Sequence, residues 1–190
     1  ESGDGVKRRF LDAGDVWLLE GRTRASLEAL RPPDPSGQHP SRPASGPVLI
    51  DLASTAVPGV TTISGNDPGD HAGIRAIVDL DQDGCAEIVI GAEDSSSRRN
   101  TRAGGGEIRI IHGERVLPAT VLPGESSGTT IYGPTGGGHL GKAVAAMDLN
   151  GDNRPELVIA EPQAGQSLTG RIWVLGGSWK DLFRPATAAK

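Results

Sequence analysis

One internal repeat constrains the fold of this chain more than any other feature. Residues 73–93 and 141–162 share the same order: a glycine, a short apolar stretch, an acidic loop, and a second apolar stretch that closes on small residues. The first aspartates of the two loops lie at positions 79 and 148, a spacing of 69. Self-similarity at a fixed spacing is typical of repeat architectures, so this repeat organises the chain into units.

A second short element recurs after each acidic loop and near the N-terminus. Residues 14–21, 106–113 and 170–176 alternate polar and apolar side chains between flanking glycines, which is typical of a half-buried strand. A third element, residues 61–65 and 129–133, precedes each acidic segment and indicates another strand. Each unit therefore runs strand, acidic loop, strand, strand, strand, the order of a four-stranded antiparallel β-propeller blade.

Composition also favours an all-β fold, since 28 glycines and 14 prolines among 190 residues are incompatible with many long helices. We predict a partial propeller of under three blades: a partial blade over residues 1–64, a complete blade over residues 65–133, and a partial blade with a C-terminal tail over residues 134–190. A proline-rich insertion is predicted at residues 31–47. Closed propellers have about four to eight blades. The chain is therefore expected to be a fragment, to take blades from another chain, or to form an open stack covered by a partner.

The first acidic loop has the pattern of a hard-cation site. Three aspartates alternate along the chain, a glycine allows the chain to turn, and a glutamate follows. Calcium takes six to eight oxygen ligands, commonly carboxylates with a backbone carbonyl and water, whereas zinc and copper sites favour histidine and cysteine. The predicted calcium ligands are Asp79, Asp81, Asp83, the backbone carbonyl of Cys85, and Glu87.

The second loop repeats this pattern with one carboxylate fewer. Its predicted ligands at the same offsets are Asp148, Asn150, Asp152, the backbone carbonyl of Arg154, and Glu156. We expect weaker binding here, because Asn150 is uncharged and because Asn153 replaces the glycine of the first loop. The alternative interpretation is a pair of acidic turns without metal, since Asp, Asn and Gly favour turns in any case.

The two segments resemble FG-GAP repeats, the blades of the integrin α-subunit propeller. Residues 72–73 and 140–141 stand where that family has Phe-Gly, and residues 91–93 and 160–162 stand where it has Gly-Ala-Pro. The resemblance implies β-propeller blades, structural calcium, an extracytoplasmic location (secreted, cell-surface or periplasmic), and a binding role towards proteins or glycans.

These features together predict a non-enzymatic, calcium-binding module that mediates protein binding, adhesion or assembly of an extracytoplasmic complex. Two alternatives stay open: the propeller portion of a secreted hydrolase, and a calcium-dependent glycan-binding protein. A protein partner or further subunits are the expected ligands. The net charge of −5 disfavours nucleic acid, and every apolar run is far shorter than the roughly 20 residues that span a bilayer.

Two features that look catalytic have structural interpretations. Residues 136–143 nearly match the phosphate-binding Walker pattern, but Ala143 stands where that pattern needs Ser or Thr. His71 and His139 precede equivalent glycines of the repeat, and we interpret them as turn or packing residues. No catalytic residue is predicted.

Overall fold

The structure is a computed structural model that describes residues 15–19, 60–96, 101–113, 120–121, 128–165, 167–177 and 179. The predicted proline-rich insertion at residues 31–47 and most of the first predicted blade lie outside these ranges. Within them, no helix is long and apolar enough to cross a bilayer.

The described part of the chain forms ten strands in three sheets, and the all-β prediction is confirmed. The sheets have the orders β1-β2-β6, β3-β4-β5-β7 and β10-β9-β8, and we call them the first, second and third sheets. The strands are β1 (Asp15–Leu19), β2 (Val60–Ser64), β3 (Gly73–Val78), β4 (Glu87–Ala92), β5 (Glu107–Ile111), β6 (Thr120–Val121), β7 (Gly128–Tyr132), β8 (Val144–Met147), β9 (Glu156–Glu161) and β10 (Arg171–Leu175).

The second sheet has the four antiparallel strands that the repeat predicts. The first acidic loop joins β3 to β4, and β5 and β7 follow in order across the sheet. Both central strands are buried along their whole length. The half-buried prediction is therefore wrong for β5, whose alternating Glu107 and Arg109 are buried as well, because the two apolar clusters cover both faces of the strand. The third sheet repeats the first three of these strands, with the second acidic loop between β8 and β9. The blade limits at residues 64 and 133 stay predictions.

The first sheet contains a pairing that the sequence analysis did not predict. Strand β6, which follows β5 in the chain, pairs parallel to β2 through Thr62 with Thr120 and Ile63 with Val121. The other pairings between named strands are antiparallel. An edge strand exposes unpaired backbone groups, and β6 satisfies part of the edge of β2.

Apolar side chains stack the three sheets face to face. One cluster lies between the first and second sheets and joins Ile63 to Ile88 and Ile90. A larger cluster lies between the second and third sheets and contains Val89, Ile108, Ile110, Leu157 and Ile159, together with Leu80, Leu140 and Trp179. The central strands of the second sheet are therefore covered on both faces, as those of a central blade in a stack would be.

Candidate metal centre

The first acidic loop folds around its own carboxylates. Asp79 accepts hydrogen bonds from the backbone amides of Asp83 and Gly84, with N···O distances of 3.2 and 3.1 Å. Asp81 accepts from the amide of Asp83 at 3.1 Å, and Asp83 accepts from the amide of Cys85 at 2.7 Å. These bonds satisfy the backbone donors of the turn, and they fix the orientation of three carboxylates before any ligand binds.

Glu87 begins β4 and closes the loop from the side of the core. Its side chain is buried, and its two carboxylate oxygens accept from the backbone amides of Leu80 at 2.7 Å and Gly113 at 3.3 Å. Burial raises the pKa of Glu87, and the negative charges of Asp81 and Asp79 add to this effect, whereas the two backbone hydrogen bonds oppose it. A nearby cation would stabilise the ionised form of Glu87.

Three of the predicted ligands meet in space. One oxygen atom each from Asp79, Asp81 and Glu87 lies within 4.8 Å of the other two. Oxygens on opposite sides of one calcium ion are about 5 Å apart, so this spacing fits a single ion of that kind. The donor atoms are all carboxylate oxygens, which hard cations prefer. The structure places Asp83 and Cys85 in the same turn, and their roles as ligands stay predictions.

The second loop repeats these hydrogen bonds at equivalent positions. Asp148 accepts from the amides of Asp152 and Asn153 at 3.2 and 2.8 Å. Asn150 accepts through its amide oxygen from Asp152 at 2.8 Å, and Asp152 accepts from the amide of Arg154 at 2.8 Å. The predicted ligands of the second loop therefore lie on the same hydrogen-bonded frame as those of the first, although their binding of a metal stays a prediction.

The charge inside the second loop differs from that in the first. Glu156 accepts from the backbone amide of Leu149 at 2.8 Å, as Glu87 does from Leu80. The side-chain amide of Asn150, however, donates to Asp152 at 3.2 Å and to Glu156 at 3.4 Å. A neutral donor thus lies between two carboxylates where the first loop has the carboxylate of Asp81. This arrangement supports the expectation of weaker cation binding.

Two left-handed backbone positions shape each loop. In the first they are Gln82 (φ 59°) and Gly84 (φ 89°), and in the second they are Gly151 (φ 80°) and Asn153 (φ 63°). Each loop therefore places its glycine at a different one of the two positions, and asparagine is among the residues that tolerate this region best. Asn153 therefore adopts the same left-handed conformation as Gly84, and the predicted effect of this replacement on affinity stays a prediction.

The segment that resembles a Walker motif joins the second and third sheets. The backbone amides of Gly137 and His139 donate to the carbonyls of Ala103 and Gly104 at 2.8 and 3.0 Å. Strand β8 follows this segment, whereas a phosphate-binding loop requires a helix there. Amides that are already paired do not form a phosphate cradle, which supports the structural interpretation of this motif.

The two repeated histidines meet at one carboxylate. Nδ1 of His71 lies 2.6 Å from Asp94, and Nδ1 of His139 lies 2.9 Å from the other oxygen of the same carboxylate. Both histidines have left-handed backbones, with φ of 54° and 56°, which agrees with the predicted turn role. Desolvation acts to raise the pKa of Asp94, but its hydrogen bond with His71 and the charge of His139 outweigh it and lower the pKa.

Glu161 is fully buried in β9, although no local sequence pattern predicted a role for it. The indole Nε1 of Trp173 donates to its carboxylate at 2.9 Å, and Arg171 lies 3.6 Å from the same oxygen. This residue stands where the FG-GAP pattern has alanine, and that departure was the available signal of an unusual contact.

The second and third sheets and their two loops define a class of protein. Its members are built from stacked antiparallel sheets in which an acidic turn joins two strands, as in β-propeller blades. Residues 140–175, which run from the turn before β8 to the end of β10, match the family model described as FG-GAP repeat. The predicted resemblance is therefore confirmed, and the chain contains an FG-GAP repeat.

Curated relatives cover a longer part of the chain. It is 33% identical over 105 residues to the phosphatidylinositol-glycan-specific phospholipase D of Bos taurus, a match that covers 53% of this chain and 12% of that protein. The proteins of the same name from Mus musculus and Rattus norvegicus are 32% and 30% identical over 109 and 110 residues. In each of these two matches, 55% of this chain and 13% of the relative are covered. The match thus spans about an eighth of each relative's length.

Proposed function

We propose that this chain is a calcium-stabilised FG-GAP module that mediates protein assembly outside the cytoplasm, without catalytic activity of its own. The observation that carries the calcium part is the convergence of Asp79, Asp81 and Glu87 within 4.8 Å. The matching hydrogen bonds of the second loop support a second, weaker site. A cation there would stabilise the turn between two strands rather than take part in a reaction.

An exposed apolar face supports the assembly part. The strand registers place six apolar residues on one side of the third sheet, and Ile172 and Val174 on it are 69% and 59% exposed. On the equivalent face of the second sheet, Val89, Ile108 and Ile110 are fully buried against the third sheet. We infer that a further sheet of the same type covers this face in the assembled protein. The six residues are Ala145, Met147, Val158, Ala160, Ile172 and Val174.

Calcium binding is tested by calorimetric titration of the purified chain, with thermal melts in calcium and in chelator. We expect two binding events and a melting temperature that rises with calcium concentration, because a ligand of the folded state stabilises it by mass action. Removal of Asp81 should weaken binding more than removal of Asn150. A folded chain that takes up no calcium would remove the metal from the proposal and leave an FG-GAP module without it.

Assembly is tested by light scattering of the chain over a range of concentrations. We expect self-association through the exposed face of the third sheet, and Ile172→Lys should reduce it because a charge cannot be buried there without a partner. The matched control is Ile77→Lys, since Ile77 is 59% exposed on the second sheet. Equal effects of both substitutions would contradict a specific face.

A second candidate function rests on the curated relatives. The chain would then be the propeller portion of a larger hydrolase that acts on phosphatidylinositol-glycan, with its catalytic part elsewhere. An assay of the purified chain on such a substrate separates the two candidates. Turnover by this chain would overturn the non-catalytic proposal, whereas activity that requires an added catalytic domain would favour the second candidate.

A further inference from the structure

The two candidate metal loops contact each other directly. The side-chain amide of Gln82 in the first loop donates a hydrogen bond to the backbone carbonyl of Asn153 in the second, at an N···O distance of 2.5 Å. The two residues are 71 positions apart and belong to turns that follow strands of different sheets. This bond therefore joins the loops through space.

Each end of this hydrogen bond lies among predicted metal ligands. Gln82 lies between Asp81 and Asp83, so its backbone position depends on how those two carboxylates are held. The amide of Asn153 donates to Asp148 at 2.8 Å, while its carbonyl accepts from Gln82. The peptide groups of Asn153 thus link a ligand of the second loop to the first loop.

The backbone of both residues explains why ordering one loop affects the other. Gln82 and Asn153 both have left-handed conformations, which cost free energy for residues other than glycine. A cation that binds the first loop holds Asp81 and Asp83, and so favours the conformation in which Gln82 reaches Asn153. The second loop then loses less conformational entropy when it binds its own cation.

We propose that the two loops bind cations with positive cooperativity, and that the hydrogen bond from Gln82 to Asn153 carries the coupling. This inference rests on the proposed calcium sites. Coupling between sites is reciprocal, so filling either loop raises the affinity of the other by the same factor. We expect a factor of about fivefold, the scale of one neutral hydrogen bond.

Electrostatics alone predicts the opposite sign. A cation in one loop reduces the negative charge that attracts a cation to the other, which lowers the second affinity. This repulsive effect weakens as salt rises, because the Debye length falls to about 8 Å at 0.15 M. A hydrogen bond between neutral groups does not depend on salt in this way. Positive cooperativity at salt concentrations of 0.15 M and above would therefore identify the hydrogen bond from Gln82 to Asn153 as the source of the coupling.

The first test is calorimetric titration of the whole chain with calcium chloride at 0.15 M and 0.5 M salt. At 0.5 M salt the unmodified chain should show about fivefold positive coupling, and Gln82→Ala should bind two ions independently. At 0.15 M the residual repulsion should lower both values, and the unmodified chain should keep positive coupling. Asn153→Gly should keep the coupling, because the acceptor is a backbone carbonyl and glycine adopts the same φ. Gln163→Ala is the matched control, since Gln163 is an exposed glutamine outside both loops.

A metal-free measurement tests the contact itself. In chelator, hydrogen exchange at the amides of Asn153 and Arg154 should be faster in Gln82→Ala than in the unmodified chain, and unchanged in Gln163→Ala. Equal hydrogen-exchange rates at these amides in the unmodified chain and both variants would contradict the contact between Gln82 and Asn153. Two independent calcium sites in the unmodified chain would overturn the coupling and leave the proposed function intact, whereas no calcium binding at all would overturn both.

Discussion

The two acidic loops have the same backbone conformation but differ in charge. Each begins with an aspartate that accepts hydrogen bonds from the amides four and five positions later, and each ends at a buried glutamate that accepts from the second residue of the loop. The first has four carboxylates, whereas the second has three and an asparagine. Hydrogen bonds to the backbone therefore set the shape of the turn, while charge sets its expected affinity for a cation.

The largest expected effect comes from truncating the buried glutamates. Glu87→Ala should lower the free energy of unfolding of the metal-free chain by about 2–4 kcal/mol, because it leaves the amides of Leu80 and Gly113 without their acceptor. Glu156→Ala should cost less, since one backbone amide, that of Leu149, loses its acceptor. Denaturant melts in chelator give both values. A smaller loss of unfolding free energy for Glu87→Ala than for Glu156→Ala would contradict the expected difference between the two loops.

Exchanging the charges should exchange the affinities. Asn150→Asp should raise the calcium affinity of the second loop about tenfold, because it replaces a neutral donor by a fourth carboxylate on the same frame. Asp81→Asn should lower the affinity of the first loop by a similar factor. Calorimetric titration of each variant measures the change, with Gln163→Ala as the neutral control. An unchanged second affinity in Asn150→Asp would show that charge does not distinguish the loops.

Acid should act on the metal-free loops in opposite directions. The pKa of Glu87 is raised from its ordinary value of 4.5, so its contribution to stability is present below that value and is lost as pH rises through the folded pKa. The pKa of Asp148 is lowered from 3.8: desolvation opposes the shift, but hydrogen bonds from the amides of Asn153 and Gly151 outweigh it. Its contribution is present above that value and is lost as pH falls through the folded pKa.

Hydrogen exchange in chelator between roughly pH 3 and 6 measures this difference, after correction for intrinsic rates. On acidification, protection of the β4 amides that follow Glu87 should rise as its buried charge is lost, and protection of the Asn153 amide should fall. Glu87→Gln and Asp148→Asn should each flatten the response of their own loop. Parallel trends in the two loops would contradict the assignment of the shifts.

The smallest expected effect concerns the position of the glycine. Gly84→Asn should change the free energy of unfolding by less than about 1 kcal/mol, because Asn153 adopts the equivalent left-handed conformation. Gly84→Val should cost about 2 kcal/mol through backbone strain alone, since a Cβ atom at Gly84 meets nothing within 4 Å. Thermal melts of the two variants provide the measurement, and equal losses would contradict the interchange of asparagine and glycine.

Much of the fold follows from local patterns in the sequence. Alternation and repeated glycines predicted the strands of the second and third sheets, because the side-chain period of a strand is local. Strand β6 was missed because Thr120–Val121 is too short for a period, and its partner β2 lies far away in the chain. Trp179 joins the main core and donates to the carbonyl of Pro155 at 3.0 Å, a contact that no local pattern predicts.

The candidate site also has one part that local sequence patterns predict and another part that they do not. The ligand residues were readable because carboxylates at alternating positions before a glycine are a local signal for a turn that gathers oxygens. The spacing of these residues did not indicate that Gln82 reaches Asn153, or that His71 and His139 meet at Asp94.

Local sequence patterns establish the repeat, the strand order within a blade and the residues of both acidic loops, since each depends on interactions within a few positions. Three features emerge only when the sheets pack together: which sheet faces are covered, how one loop contacts the other, and where the apolar face with Ile172 and Val174 stays exposed. These features depend on how whole sheets stack. Stacking buries apolar area contributed by residues about 70 positions apart, so no local pattern encodes it.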